Sequence, residues 1–166
     1  MIRKVVDRVH EIVNANFNSD FATLAAAASV PAVTADIYKR WSADRFKLHT
    51  SAGVGVYHDG GGTSRRRPGS PAGAGRRDSR IEVVLDWYIK GDNEDETMVQ
   101  TELAVDALLR SIDRLVPDET RLVWGAGDAR ESINWVITRT PQSTESRVAE
   151  ERAIVRVPVT VRDEGL

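Results

Sequence analysis

The chain has 166 residues, of which 41% are hydrophobic and 29% charged, the composition of one ordinary globular domain. Its formal net charge of −2 directs it toward neither nucleic acid nor an anionic membrane surface. It contains no cysteine, which excludes disulfides, thiolate nucleophiles and cysteine metal sites.

The N-terminal part of the chain predicts two helices. Residues 2–16 place aliphatic side chains at helical spacing opposite a charged face, which is typical of an amphipathic helix. The polar stretch 14–20 should end it, and the alanine-rich residues 22–29 favour a short second helix that stops before Pro31. Charges interrupt the first segment and the second is too short to span a bilayer, so we expect a soluble protein without a signal peptide.

Two strands joined by an oversized connection are predicted next. Residues 46–57 form the first, with apolar positions at Leu48, Val54 and Val56. Residues 80–90 have the strongest strand pattern of the chain. One face carries Ile81, Val83, Leu85, Trp87 and Ile89, and the other carries Glu82, Val84, Asp86 and Tyr88. The second face mixes charged and bulky side chains, so we expect it to be partly covered.

The connection, residues 58–80, has almost no apolar side chain beyond alanine and predicts a mobile loop. It concentrates the basic charge of the chain: residues 60–80 carry +5 and the remainder −7. Three interpretations stay open, namely contact with a protein partner, contact with nucleic acid, and no specific role. Base stacking is not expected because the loop has no aromatic residue. The candidate contact residues are Arg65, Arg66, Arg67, Arg76, Arg77 and Arg80.

A central helix follows. Asn93 and Glu96 form a capping box, and an apolar stripe runs from Val105 to Val116, where Pro117 should end the helix. Three more strands are predicted at the end of the chain, at residues 121–124, 134–140 and 153–162, with a polar loop at 141–151 before the last.

Pro158 indicates that the last of these strands lies at a sheet edge. Strands grouped around a lone amphipathic helix favour an α+β fold. We expect a single domain over residues 1–166, with an antiparallel or mixed sheet of about four to five strands. The N-terminal helix and the central helix should pack on one face of that sheet.

No pattern of catalytic, cofactor-binding or metal-ligating residues emerges. The histidines His10, His49 and His58 stand in no metal-ligand spacing. The glycine pairs at 53/55 and 125/127 lack the third glycine of a dinucleotide site, and no nucleophile elbow occurs. The acidic run 92–96 fits helix capping better than a cation site. We therefore expect a protein that is not an enzyme.

The element order resembles a known family of viral assembly proteins. The run RIEVVLDWYIKGDNEDETMVQTELAVDALLRSIDRL, at residues 80–115, and the closing strand AIVRVPVTVRDEGL, at residues 153–166, carry the likeness. They resemble tail terminator and tail completion proteins of long-tailed bacteriophages, in which a strand ending in Gly-Asp leads into an acid-capped helix. The chain departs from shorter members in its loop at 58–80 and its extra segment at 117–150.

The resemblance implies a structural role in the virion. Such proteins form a ring, commonly a hexamer, at the head-proximal end of the tail tube, where they stop tube polymerisation and join the tail to the head. The partners implied are copies of the chain itself, the tail tube protein, the head-side connector and, non-specifically, genome DNA in the channel. The implied location is the tail and neck of the virion, and the host cytoplasm during assembly. The alternative is a nucleic-acid-binding accessory protein that uses the arginines of residues 65–80.

Overall fold

The computed structural model describes residues 1–66, 77–115, 122–126 and 132–163. Within them it has an α+β fold, as predicted. The elements are α1 (Ile2–Ala27), β1 (Asp36–Lys39), α2 (Ala43–Phe46), β2 (Ala52–Arg66), β3 (Arg77–Gly91), α3 (Glu94–Ile112), β4 (Leu122–Ala126), β5 (Asn134–Thr140) and β6 (Ala149–Asp163).

The strands form one mixed sheet in the order β1-β2-β3-β6-β4, and β5 pairs with β6 on the same side as β4. Only β1 and β2 are parallel; the other pairs are antiparallel. The sheet has one strand more than the four to five expected because β1 also joins it. The helices α1 and α3 pack together on one face, which we call the helix face.

The predicted alternation in the central strands is confirmed. The helix-face residues of β3, from Ile81 through Trp87 to Ile89, are buried, and so are Val155 and Val161 of β6. The other face of β3 is covered as well, because Val84, Asp86 and Tyr88 are at most 4% exposed. We call this the opposite face; α2 packs on it through Phe46, which clusters with Tyr88.

One continuous helix replaces the two that were predicted. The predicted break at 14–20 and the separate helix at 22–29 are wrong, because α1 passes through both. Its apolar stripe continues through Phe17 and Phe21, whose stacked rings are fully buried with centroids 5.7 Å apart. Both rings also contact Trp87 at 5.7 Å. Burial of two aromatic side chains outweighs the weak helix propensity of the neighbouring asparagines.

The predicted hairpin exists, but its strands are longer than expected. Residues 58–66 and 77–79, predicted as loop, belong to β2 and β3, and residues 67–76 lie outside the described part of the chain. A register shift between His58 and Gly62 bulges the ladder without ending it. Because β6 pairs with β3 along its full length, the start of β3 has a hydrogen-bonded strand on both sides. Backbone pairing therefore orders a segment that has few apolar side chains.

The predicted strand at 46–57 is wrong at its start. β2 begins at Ala52, and Phe46 instead ends the short helix α2. Leu48, expected on the apolar side of a strand, is 81% exposed. Phe46 is fully buried, and its ring stacks on that of Tyr38 in β1 with centroids 4.6 Å apart. It therefore packs against a face of the sheet and is not part of a strand.

The helix α3 begins as predicted, since the Asn93 side chain accepts a hydrogen bond of 3.1 Å from the backbone N–H of Glu96. It ends at Ile112, before the predicted stop. Leu115 beyond it is still buried, whereas Val116 and Pro117 lie outside the described residues.

β6 is an interior strand, so the prediction that it lies at an edge is wrong. On the side away from β3, β5 pairs with residues 150–156 of β6 and β4 pairs with residues 159–163. Pro158 falls between these two partners, opposite Glu82 of β3. A proline fits there because neither neighbouring strand uses its missing N–H.

Candidate assembly surface

The predicted contact arginines lie on an arm formed by the distal hairpin, residues 59–66 of β2 and 77–80 of β3. The structure brings Arg65, Arg66, Arg77 and Arg80 together there, and all four are exposed. Arg66 faces Arg77 directly across the ladder. The other two predicted residues, Arg67 and Arg76, lie outside the described residues.

The arm also exposes a strand edge. β1 pairs only with residues 53–56 of β2. From Tyr57 to Arg66, no described strand lies on the side of β2 that faces away from β3. A row of backbone N–H and C=O groups is therefore open to pairing by another chain.

The base of the arm is tied to β6 by ion pairs. Arg156 of β6 donates hydrogen bonds to Asp59 of β2 and, at 3.1 Å, to Glu82 of β3. The Arg156 guanidinium lowers the pKa of Asp59, so that carboxylate stays charged at neutral pH. These ion pairs connect β2, β3 and β6 at the root of the arm.

A buried ion pair lies deeper on the opposite face. The fully buried Asp86 of β3 binds Arg152 of β6 through two hydrogen bonds of 2.8 and 2.7 Å. The same carboxylate accepts the backbone N–H of Ala43 in α2 at 2.8 Å and the hydroxyl of Tyr57 at 3.3 Å. Burial, with help from Asp86, raises the pKa of Tyr57 to about 12, so it remains a neutral donor. This partner cannot be read from local sequence, because Arg152 stands 66 residues from Asp86.

A second open edge lies across the sheet on β5. This strand pairs with β6, and no described strand pairs with its other side. Trp135 is 51% exposed and Val136 is 66% exposed, on the helix face and the opposite face respectively. The only charged side chain of β5, Arg139, turns onto Glu151 at 2.7 Å and Glu102 at 3.2 Å. The edge therefore exposes two large apolar side chains beside four polar ones, and its one charged side chain is held in ion pairs.

A cleft of about 880 Å³ opens beside the root of the arm. Its walls come from the start of α1, the β1–α2 segment and the middle of β2. They are lined by Ile2, Arg3, Val6, Arg40, Ser42, Arg45, Tyr57, His58 and Asp59. No local pattern in the sequence predicts this cleft, since its three walls are distant along the chain.

The cations at the cleft share a single carboxylate. The Asp7 carboxylate on α1 accepts a hydrogen bond of 2.7 Å from the Arg40 guanidinium. The same carboxylate lies 3.3 Å from Lys39 Nζ and 3.9 Å from Arg3 Nε. Burial would raise the pKa of Asp7, but Lys39 and Arg40 hold it below its usual value. Arg45 instead places its guanidinium 4.9 Å from the ring centroid of Trp41.

Of the three histidines, His58 lines the cleft, next to Asp59. His58 Nε2 lies 2.5 Å from the carbonyl oxygen of Gly61, within the bulge of β2, while His49 is exposed. In the described part of the chain, no three histidine or carboxylate side chains are close enough to hold a metal ion. None of the described helices has the length and apolar character needed to cross a membrane.

No model of a known protein family matches this chain, and a search of curated proteins finds no match.

Proposed function

We propose that this chain is a structural protein that closes into a ring with copies of itself at the head-proximal end of a phage tail. There it would end polymerisation of the tail tube and join the tail to the head-side connector. The observation that carries the self-assembly is the pair of open strand edges, β5 on one side of the sheet and Tyr57–Arg66 of β2 on the other.

The two open edges differ from each other, which favours a ring over a two-fold dimer. A two-fold dimer uses the same surface on both subunits, whereas contact between unlike surfaces repeats from copy to copy and gives a ring when the rotation between copies closes. Strand pairing between copies would satisfy both edges, and Trp135 and Val136 would become buried anchors.

β5 lacks the features that usually protect an edge strand from pairing, which supports the proposal that another copy covers it in the assembled state. Monomeric proteins protect edge strands with short length, charge or proline. β1 follows that rule, since it has four residues and carries Asp36 and Lys39 at its two ends. β5 has seven residues, no proline and no glycine, and its Arg139 is neutralised by carboxylates.

The placement at the phage head–tail joint is supported by the order of elements. The strand β3, which ends at Gly91, the acid-capped helix α3 and the long closing strand β6 correspond to the parts on which the resemblance was drawn. The partners proposed are therefore the tail tube protein and the head-side connector, with the arm near the genome channel. The proposed location is the tail and neck of the virion, reached from the host cytoplasm.

The test is the mass of the assembly and its effect on tubes. Light scattering after size exclusion should give a fixed multiple of 18.3 kDa, six for a hexamer, alone or with tail tube protein. Sub-stoichiometric addition to polymerising tube protein should shorten the tubes seen by electron microscopy. Val136→Lys should abolish both effects, because lysine opposes strand pairing at an edge.

The matched control is Ala26→Lys, which adds the same charge at an exposed position of α1 away from both edges. It should assemble like the unchanged chain. A monomer at every concentration, with tube lengths unchanged by the protein, would refute the proposal.

A second candidate function, binding to nucleic acid through the arm, is favoured by the four exposed arginines that it carries. Serine at positions 65, 66, 67, 76 and 77 should then remove a DNA affinity that weakens steeply with salt. Lysine at the same five positions should retain most of it, since non-specific contacts depend mainly on charge. Absence of any DNA affinity in the unchanged chain at low salt excludes this function.

A further inference from the structure

We propose that the cleft between α1, the β1–α2 segment and β2 binds a phosphate-bearing ligand, through Arg3, Arg40 and Arg45. This site is separate from the strand edges, and the inference does not depend on ring assembly.

The first support is the excess of positive charge. Four cations, namely Arg3, Lys39, Arg40 and Arg45, surround Asp7 or line the same wall. Within the described residues, Arg3, Lys39 and Arg40 make ion pairs only with Asp7, and Arg45 makes none. One carboxylate cannot neutralise four cations, so this wall keeps a net positive charge that attracts an anion.

Asp59 on the facing wall does not supply the missing negative charge. Its carboxylate is bound to Arg156, as is that of Glu82. These three groups carry a net charge of −1, which is smaller than the excess of +3 that four cations and one carboxylate leave on the α1 side.

The cationic wall is held in place by the backbone. Arg40 has a positive φ of 64°, a conformation that costs free energy for a residue with a side chain. Its N–H donates to the carbonyl of Val56 at 2.7 Å, so β2 fixes this segment in that conformation. Arg45 is positioned by its contact with the Trp41 ring, which itself stacks on Tyr38. Because Arg40 and Arg45 are already held in position, little side-chain entropy is lost when a ligand binds to them.

The shape and chemistry indicate the class of ligand. Guanidinium groups match the geometry of phosphate oxygens and bind them through paired hydrogen bonds. A volume of about 880 Å³ suits a small organic ligand and greatly exceeds one phosphate group. Ile2 and Val6 provide an apolar strip beside the cations. A phosphate ester fits this combination, either a free nucleotide-like molecule or a segment of a nucleic-acid strand.

The test uses pyrophosphate and a labelled single-stranded oligonucleotide of mixed sequence as probes, on the full chain at low salt. If the ligand is a free phosphate compound, titration calorimetry with pyrophosphate should show saturable binding. If the ligand is a nucleic-acid strand, fluorescence polarisation with the labelled oligonucleotide should show it. The double variant Arg3→Ser/Arg45→Ser should weaken binding of either probe by about tenfold or more, because charge-assisted hydrogen bonds are lost. Both side chains are exposed at the surface, so the fold should be unaffected.

Two further variants make the result specific. Lys4→Ser/Arg147→Ser removes the same charge from exposed positions outside the cleft and should change the affinity by less than about twofold. Asp7→Asn should tighten binding, since it removes the competing carboxylate; a purely structural role for Asp7 would weaken it instead.

Failure of both probes to bind the unchanged chain overturns the proposal. So does oligonucleotide binding that the arm substitutions abolish and Arg3→Ser/Arg45→Ser leaves unchanged. Neither result bears on the mass of the assembly, so the ring proposal is judged separately.

Discussion

Replacing Arg152 by methionine is expected to lower the free energy of unfolding at neutral pH by about 3–5 kcal/mol, the usual effect of removing one partner of a buried ion pair. Asp86 has no exposed surface and loses the one cation that pairs with it among the described residues. The carboxylate would keep the N–H of Ala43 and the hydroxyl of Tyr57, two neutral donors that cannot replace a charge. Urea unfolding followed by tryptophan fluorescence measures the change.

The paired substitution Arg152→Met/Asp86→Asn separates the effect of the orphaned charge from loss of packing, because asparagine keeps an acceptor for the N–H of Ala43 and the hydroxyl of Tyr57. If the large effect comes from an orphaned charge, the double variant should be more stable than Arg152→Met alone, since no buried charge is left without a partner. Arg147→Met is the matched control, because Arg147 is exposed and outside this network; its effect should be within about 0.5 kcal/mol. An effect of that small size for Arg152→Met would show that the pair does not fasten β6 to β3.

Local patterns in the sequence were sufficient to predict the central strands and the start of α3. The alternation from Ile81 to Ile89 places one set of side chains on each face, whatever the rest of the chain does. The cap at Asn93 is equally local, because its side chain bonds to a residue three positions later.

The errors came where distant contacts decide the structure. The continuity of α1 depends on Phe17 and Phe21 meeting Trp87, about 70 residues later. The interior position of β6 depends on two strands sharing one side of it around Pro158. Neither contact leaves a periodic signal in the segment that it changes, so local propensity was overridden.

The candidate sites divide in the same way. Charge along the chain identified the arginines of the arm, because they are consecutive or nearly so. The cleft could not be found by that means, since Arg3, Arg40 and Tyr57 come together only when α1 packs beside β2. The open edge of β5 was also hidden, because a strand pattern does not reveal which of its sides is paired.

Gly55→Ala is the most sensitive test of how the cleft wall is built. A Cβ at this position would lie 1.9 Å from the carbonyl oxygen of Trp41 and 3.0 Å from the Phe46 ring. The carbonyl cannot move away easily, since Arg40 is already at positive φ and is hydrogen-bonded to the next residue of β2. We expect a loss of about 3 kcal/mol in the free energy of unfolding, at the upper end for overpacking.

Gly61→Ala in the same strand is the control, because the nearest atom to its Cβ would be 3.9 Å away and its backbone conformation suits alanine. It should be neutral, or more stable by up to about 1 kcal/mol through reduced freedom of the unfolded chain. Urea unfolding of both variants gives the comparison directly. Equal stability of the Gly55 and Gly61 variants would mean that residues 40–42 do not pack closely against β2. The position of Arg40 would then not be set by contact with that strand. A large loss at Gly55 alone would mean that close backbone contact sets the position of Arg40, and any tolerated variant at residue 55 should then also bind pyrophosphate less tightly.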